Sequence, residues 1–444
     1  MCLDSTSAVT FTELQDVEIG DKDSISKPAP ATQSSVPDDS NTQTSLEHSF
    51  VQEEQPDGGL RGWLVVLASF TINFIVFGCG TTCEVFGPRG IPSAQLSLVG
   101  SITFFVILSM GTFVGAPAVA RFGLRPVLAT GGVIAATGLV LAGQSTQVWH
   151  LYLTQGILFG LGSSMLYIPI QSIPAQWFSK RRATALGFAA SGTGIGGLVI
   201  SPLVSKLIST VGVTWCYRII AIIFFVLAMV ATMCAKPRIV VKRSARIINL
   251  SLLKNPAYII WLLLALCAWG YLEPFIYLPI YASSLQISPS MSANLLSIIS
   301  GLNALGRILI GVAGDRFGRI RVLLFTMFIS GASCMIIWTL ARNLAELIVF
   351  SIIFGFFCGA FFTMVVPITA EIVGMENLSA ATSLAFTVAS VGVFATSIVD
   401  AIQGAVAPGT YLVVILSTGG VYIVGTVLLV ILLIVLQRQK KGKA

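Results

Sequence analysis

The sequence predicts an all-α membrane protein with twelve transmembrane helices in two six-helix bundles. Composition is the first reason. The 444 residues are 55% hydrophobic and only 10% charged, with a mean hydropathy of +0.88, whereas soluble domains carry about 25% charged residues. Spacing is the second. From Trp63 onward the chain reads as a series of apolar runs, each near the ~20 residues that a bilayer demands. Duplication is the third. Ala120-Arg121-Phe122-Gly123-Leu124-Arg125-Pro126-Val127-Leu128 returns as Asp315-Arg316-Phe317-Gly318-Arg319-Ile320-Arg321-Val322-Leu323, an offset of 195 residues (316 − 121). One motif at corresponding places in two halves marks a doubled architecture. The runs are read as helices because lipid offers backbone amides no other partner in an unclosed chain.

Residues 1–56 are rich in Ser, Thr, Asp, Glu, Gln and Pro and show no apolar period, so a disordered tail is expected there. The segment lacks the charged start and apolar core of a cleaved signal peptide. The first bundle is expected over 57–235, with spans near 62–83, 97–117, 126–144, 149–172, 184–205 and 214–234. A hydrophilic linker, 236–256, follows. The second bundle is expected over 257–436, with spans near 257–281, 291–312, 320–340, 344–367, 378–399 and 410–436. A short tail, 437–444, closes the chain.

Charge sets the expected orientation. Residues 1–60 hold twelve acids and two lysines, and the rest of the chain holds seven acids and 24 Lys and Arg. With the N-terminus inside, the inner loops and C-tail carry 18 basic residues and the outer loops only Arg89, Lys206 and Arg342. That bias places both termini in the cytoplasm and accounts for the basic balance better than a nucleic-acid partner does. The eight cysteines lie mostly in or beside apolar runs, and only two histidines are present, His48 and His150. The cysteines read as small hydrophobes, not as a metal site or a disulfide frame.

Within the fifth span, Gly187, Gly192, Gly194, Gly196 and Gly197 precede Pro202. Small residues at this spacing let helices approach closely, and a hinge is the sharper alternative. Arg307 is a lone cation inside the eighth run, ~7 Å inward of its middle. Intramembrane charges are costly, which favours a ligand role over pairing with a carbonyl or snorkelling. Glu273, beside Gly270 and Pro274 in the seventh run, reads either as a proton carrier or as a water-exposed carboxylate at a cavity mouth. It lies ~14 Å from Arg307 in depth, so direct pairing is not expected. Asn73, Gln155, Tyr167, Gln171 and Tyr277 are further polar candidates that either line a cavity or join helices, and Asn303 is placed to bond a ligand or to hold Arg307. In the repeated turn, Gly311, Gly314 and Gly318 permit tight geometry. Asp315 is placed to meet arginines of its own turn or the positive end of a neighbouring helix. No nucleophile–base set, phosphate loop or nucleotide fingerprint is present, so neither an enzyme nor a cofactor is expected.

The turn Gly311–Arg321 resembles the signature loop of the major facilitator superfamily of secondary transporters. Two further stretches are similar to the monocarboxylate porter family, and most similar to its fungal members. Asp57-Gly58-Gly59-Leu60-Arg61-Gly62-Trp63 resembles that family's lead-in to span one. Trp177-Phe178-Ser179-Lys180-Arg181-Arg182, continuing to Gly187 and Gly192, resembles its lead-in to span five. Leu60, the extra Arg61 and Thr184 depart from the pattern. The resemblance covers about 57–436. It implies two bundles rocking around a central cavity, with Asp315, Arg316 and Arg319 forming a cytoplasmic latch in the outward-open state; a monomer is expected. Arg121 and Arg125 belong to the first copy, where Ala120 replaces the acid and a weaker latch is implied. It also implies that Arg307 binds an anionic substrate. Animal members have an acid one turn before this arginine and a lysine in span one. Here Asn303 and approximately Thr81 stand there, so that branch's proton relay does not carry over. The reading is therefore alternating-access transport of a small organic anion, expected at the plasma membrane, with proton symport as the default energy source. Export of a fungal secondary metabolite and a non-transporting sensor or scaffold are the alternatives.

Overall fold

A computed structural model describes residues 57–80, 93–238, 250–406 and 411–441. The tail expected at 1–56 and the middle of the linker lie outside the described residues. The described chain is helical throughout its apolar runs. The spans are α1 (Gly59–Gly80), α2 (Leu98–Phe122), α3 (Leu124–Ala142) and α4 (Val148–Gln176), then, after α5 and α6, α7 (Pro256–Ser284), α8 (Ser290–Phe317), α9 (Arg319–Trp338), α10 (Leu344–Val373), α11 (Leu378–Thr396) and α12 (Leu412–Gln439).

Between α4 and α7 one helical stretch, Arg182–Cys234, runs for 53 residues. A straight helix of that length would extend about 80 Å, far beyond a hydrocarbon core of about 30 Å. The chain instead breaks at Gly212, whose φ of 78° is open to glycine at little cost. The break divides the stretch into α5 (182–211) and α6 (213–234), so the described residues form twelve spans. Sequence reading placed a boundary between 205 and 214 without identifying Gly212 as its pivot.

Several spans are locally irregular. α2, α4 and α9 each contain a π-helical segment, at Gly111–Gly115, Tyr152–Phe159 and Ser333–Trp338. α7 is interrupted by a 3₁₀ turn, Cys267–Tyr271, and restarts as Glu273–Ser284. This restart breaks the backbone beside Gly270 and Pro274. It puts Glu273 in the first turn of a half-helix, where a helix dipole favours an acid.

Close packing along α5 follows from its glycines. A Cβ at Gly187 would sit 2.5 Å from the Arg307 carbonyl, and one at Gly194 would sit 2.6 Å from the Ser300 carbonyl, both on α8. Gly311 of α8 approaches the Ala183 carbonyl equally closely. Gly192 instead faces α1, against Phe70 and Asn73. Helix α5 is thus packed on its own bundle by one set of small residues and on the other bundle by another. Large apolar side chains such as Ile222, Val226 and Val230 of α6 point outward, as lipid-facing surface requires.

Candidate transport site

Arg307 is 3% exposed and is held from four sides. Its Nε donates to Asn303 Oδ1 at 2.8 Å, one helical turn earlier. Its Nη1 donates across the bundle interface to the Ala190 carbonyl of α5 at 3.3 Å, and its Nη2 to the Tyr271 hydroxyl at 3.4 Å. The guanidinium carbon lies 5.7 Å from the Tyr271 ring centre and 5.5 Å from that of Phe362, within cation–π range. Asn303 is fully buried and donates through Nδ2 to Cys358 Sγ at 3.1 Å. A side chain at Gly359 would collide with both Asn303 and Arg307, so a glycine at that place makes room for the pair. Arg307 does not snorkel. It bonds protein carbonyl, amide and hydroxyl oxygens, none of which neutralises its charge.

Tyr271, Cys358, Gly359 and Phe362 escaped the sequence reading. A usable signal existed: Gly355 and Gly359, four apart on α10, match the four-residue spacing of Asn303 and Arg307 on α8. Beside this cluster lies a void of about 10 Å³ lined by Tyr271, Cys358, Phe361, Phe362 and Tyr422, enough for roughly one water.

The other polar candidates sort by partner. The Asn73 side chain donates to the Ser69 carbonyl and accepts from Gln171 Nε2 at 3.2 Å, joining α1 to α4. Gln155 accepts from the Tyr217 hydroxyl at 2.9 Å, joining α4 to α6. The Tyr167 ring meets Phe77 edge-on in its own bundle and Phe386 of α11 in the other. Glu273 is fully buried, not exposed at a cavity mouth in this conformation, and Tyr277 on the same half-helix is 8% exposed.

The Asp315 turn engages the opposite bundle. Asp315 Oδ1 accepts from the Ala183 N–H at 3.0 Å, and Oδ2 accepts from the Thr184 N–H at 2.7 Å and the Thr184 hydroxyl at 2.9 Å. The acid therefore caps the N-terminus of α5, whose free amides and dipole favour a negative charge. Arg319 bridges Asp315 at 3.2 Å and Glu371 of α10 at 2.8 Å. Both partners anticipated for Asp315, its own arginine and a helix end, are present together. Thr184, a departure from the family pattern, supplies two of the three bonds, one of them through its side chain. Arg316 extends over the ring of its neighbour Phe317.

The first copy behaves differently. Arg125 donates through Nε to the Ala235 carbonyl and through Nη2 to the Met233 carbonyl, both at 3.1 Å, at the end of α6 in its own bundle. Arg121 lies over the adjacent Phe122 ring.

The two stretches on either side of the first bundle meet. Asp57 Oδ1 accepts from the N–H groups of Ser179 (3.0 Å) and Lys180 (2.7 Å), and Gly58 donates to the Trp177 carbonyl at 3.2 Å. Trp63 packs edge-on against Phe178 at 5.3 Å. Gly62 also abuts Phe178. Gly58 has a φ of 103°. Desolvation pushes the Asp57 carboxyl up, but the backbone N–H bonds from Lys180 and Ser179 outweigh it and hold the group below its ordinary 3.8. Arg182 Nε donates to the Phe178 carbonyl. Asp57 thus grips the loop before α5 from its own bundle, and Asp315 grips the first turn of α5 from the other.

Comparison with known proteins gives a consistent result. The Major Facilitator Superfamily profile matches residues 62–311 and 274–444. The chain is 29% identical over 353 residues to the MFS transporter asaE of Aspergillus flavus, covering 77% of this chain and 80% of that one. It is 28% identical over 414 residues to the agnestins efflux protein AgnL12 of Paecilomyces divaricatus, covering 90% and 94%. The fold resembles the crystal structure of the human organic anion transporter MFSD10, with a TM-score of 0.66 at 13% identity over 83% of this chain and 99% of that one. The chain is a multi-pass membrane transporter and belongs to the major facilitator superfamily.

Proposed function

We propose that this transporter exports a small organic acid by alternating access, with Arg307 as the charge partner of the substrate. The carrying observation is the buried Arg307 guanidinium, which bonds only uncharged partners among the described residues and reaches across the bundle interface to Ala190. A carboxylate or phenolate entering between the bundles would replace that carbonyl with a charged, two-pronged acceptor. The naming of relatives as efflux proteins favours export. The docked stretches 57–63 and 177–182 favour a second reading, uptake of a monocarboxylate, because both resemble the monocarboxylate porter family. The Asp315 latch would hold the cytoplasmic ends together, with both termini in the cytoplasm and the plasma membrane as the site of action. Residues 57–235 and 257–436 would move as the two bundles.

Uptake and efflux in reconstituted vesicles, across a panel of labelled carboxylates at two pH gradients, test this reading. Arg307→Ala is expected to stop anion movement while leaving folding intact, and Arg307→Lys to restore only part of it. Undiminished transport by Arg307→Ala would remove the anion site. A dependence on the pH gradient would establish proton coupling.

A further inference from the structure

We infer that an anionic phospholipid headgroup binds in a groove at the Arg-rich end of the first bundle, between the Gly123 turn and the end of α6. The groove is open to the surface, has a volume of about 400 Å³ and is lined by Leu124, Arg125, Pro126, Lys236 and Pro237. It lies where α3 begins and α6 ends, the level at which a bilayer changes from hydrocarbon to headgroups. Two cations and no acid line it. Arg125 spends Nε and Nη2 on the carbonyls of Ala235 and Met233, which leaves its Nη1 edge for a ligand. Among the described residues, Arg125 and Lys236 have no carboxylate partner.

The second copy of the turn clarifies why. There Arg319 is neutralised by Asp315 and Glu371. In the first copy Ala120 and Leu124 replace the acid and the arginine, and the remaining cations face outward uncompensated. A phosphate bearing a net negative charge supplies the missing counter-charge. The rest of the groove selects a lipid over a free ion. Leu124, Pro126 and Pro237 form an apolar wall, and the two prolines have no N–H to offer a hydrated anion. Such a wall suits the glycerol and upper acyl segments of a lipid. The site is also tied to the α5 lead-in, because Trp177 Nε1 donates to the Lys236 carbonyl at 3.0 Å.

The test uses the full chain in phosphatidylcholine nanodiscs with or without phosphatidylserine, with retained lipid read by native mass spectrometry. Wild-type protein is expected to keep phosphatidylserine in preference to phosphatidylcholine. The Arg125→Gln/Lys236→Gln double variant is expected to lose that retention by about tenfold, as loss of charged hydrogen bonds implies. Arg125 also holds the end of α6, so Lys236→Gln alone guards against misfolding and is expected to lose retention severalfold. Arg438→Gln, an exposed cation elsewhere, is expected to leave it unchanged. Equal retention by wild type and Lys236→Gln would overturn the site. So would an equal loss in Arg438→Gln, or displacement of the lipid by inorganic phosphate.

Discussion

At Gly123 and at Gly318 the chain turns in the same way. Each glycine has a positive φ, 88° and 99°, and each donates its N–H to the carbonyl four residues back, Val119 at 2.9 Å and Gly314 at 3.1 Å. Around this shared backbone the chemistry has diverged. The second turn carries Asp315 and Arg319, which cross to α5 and reach α10. The first carries Ala120 and Leu124 in their places, and its Arg125 braces its own bundle. The turn serves the fold in both halves, whereas the contact with α5 across the bundles is made by the second copy.

Removing the charge from Asp315 breaks the comparison most severely. Asp315 accepts three bonds from α5, and a bond to a charged group is worth about 1.5–3 kcal/mol. Asp315→Asn is therefore expected to lower vesicle transport by about tenfold or more. Ala120→Asn, the matching change in the first copy, is expected to stay within about twofold of wild type. Equal losses at the two positions would mean that the halves share the work.

The shared backbone gives the next effect. Gly123→Ala and Gly318→Ala should each cost about 1–2 kcal/mol, because a Cβ is disfavoured at positive φ. Thermal unfolding in detergent should show similar drops for both. A drop confined to Gly318→Ala would tie that glycine to the latch alone. Thr184→Val, which removes one neutral donor to Asp315, is expected to cost about 0.5–1.5 kcal/mol of the closed state and to slow transport less than Asp315→Asn does.

The smallest effect concerns Asp57, the acid that grips the α5 lead-in. The folded Asp57 carboxyl sits below its ordinary 3.8. Its contribution is fully present above that pH and is lost as pH falls through the lower folded value. Tryptophan fluorescence from the Trp63–Phe178 contact should therefore change only below about pH 4. Asp57→Asn should remove that acid-side transition. A transition that persists in Asp57→Asn would assign it to another group.

The sequence made some of this legible and hid the rest for physical reasons. Hydropathy reports transfer to lipid, so the spans could be placed to within a few residues, although α5 and α6 were separated without naming Gly212. The turn was visible because its Gly, Arg and Phe recur at a fixed offset. Arg307 stood out because a charge in an apolar run is rare. Its partners did not: Ala190, Tyr271 and Phe362 lie 117, 36 and 55 residues away in the chain, and no local pattern marks such contacts. Thr184 looked like a departure from a family pattern and is a donor to Asp315. Arg125 stood out as part of the repeated turn, and its bonds to the end of α6 did not. In each case the contact depends on which helix end lies opposite, which periodicity does not encode.

Distances between spin labels at Phe122 and Phe317, one on each bundle and both exposed, test the central claim most directly, in protein whose native cysteines have been replaced. Wild-type protein is expected to populate mainly a short distance, and Asp315→Asn to shift weight to a longer one, while Ala120→Asn leaves the distribution unchanged. An identical distribution in wild type and Asp315→Asn would contradict closure by the second turn.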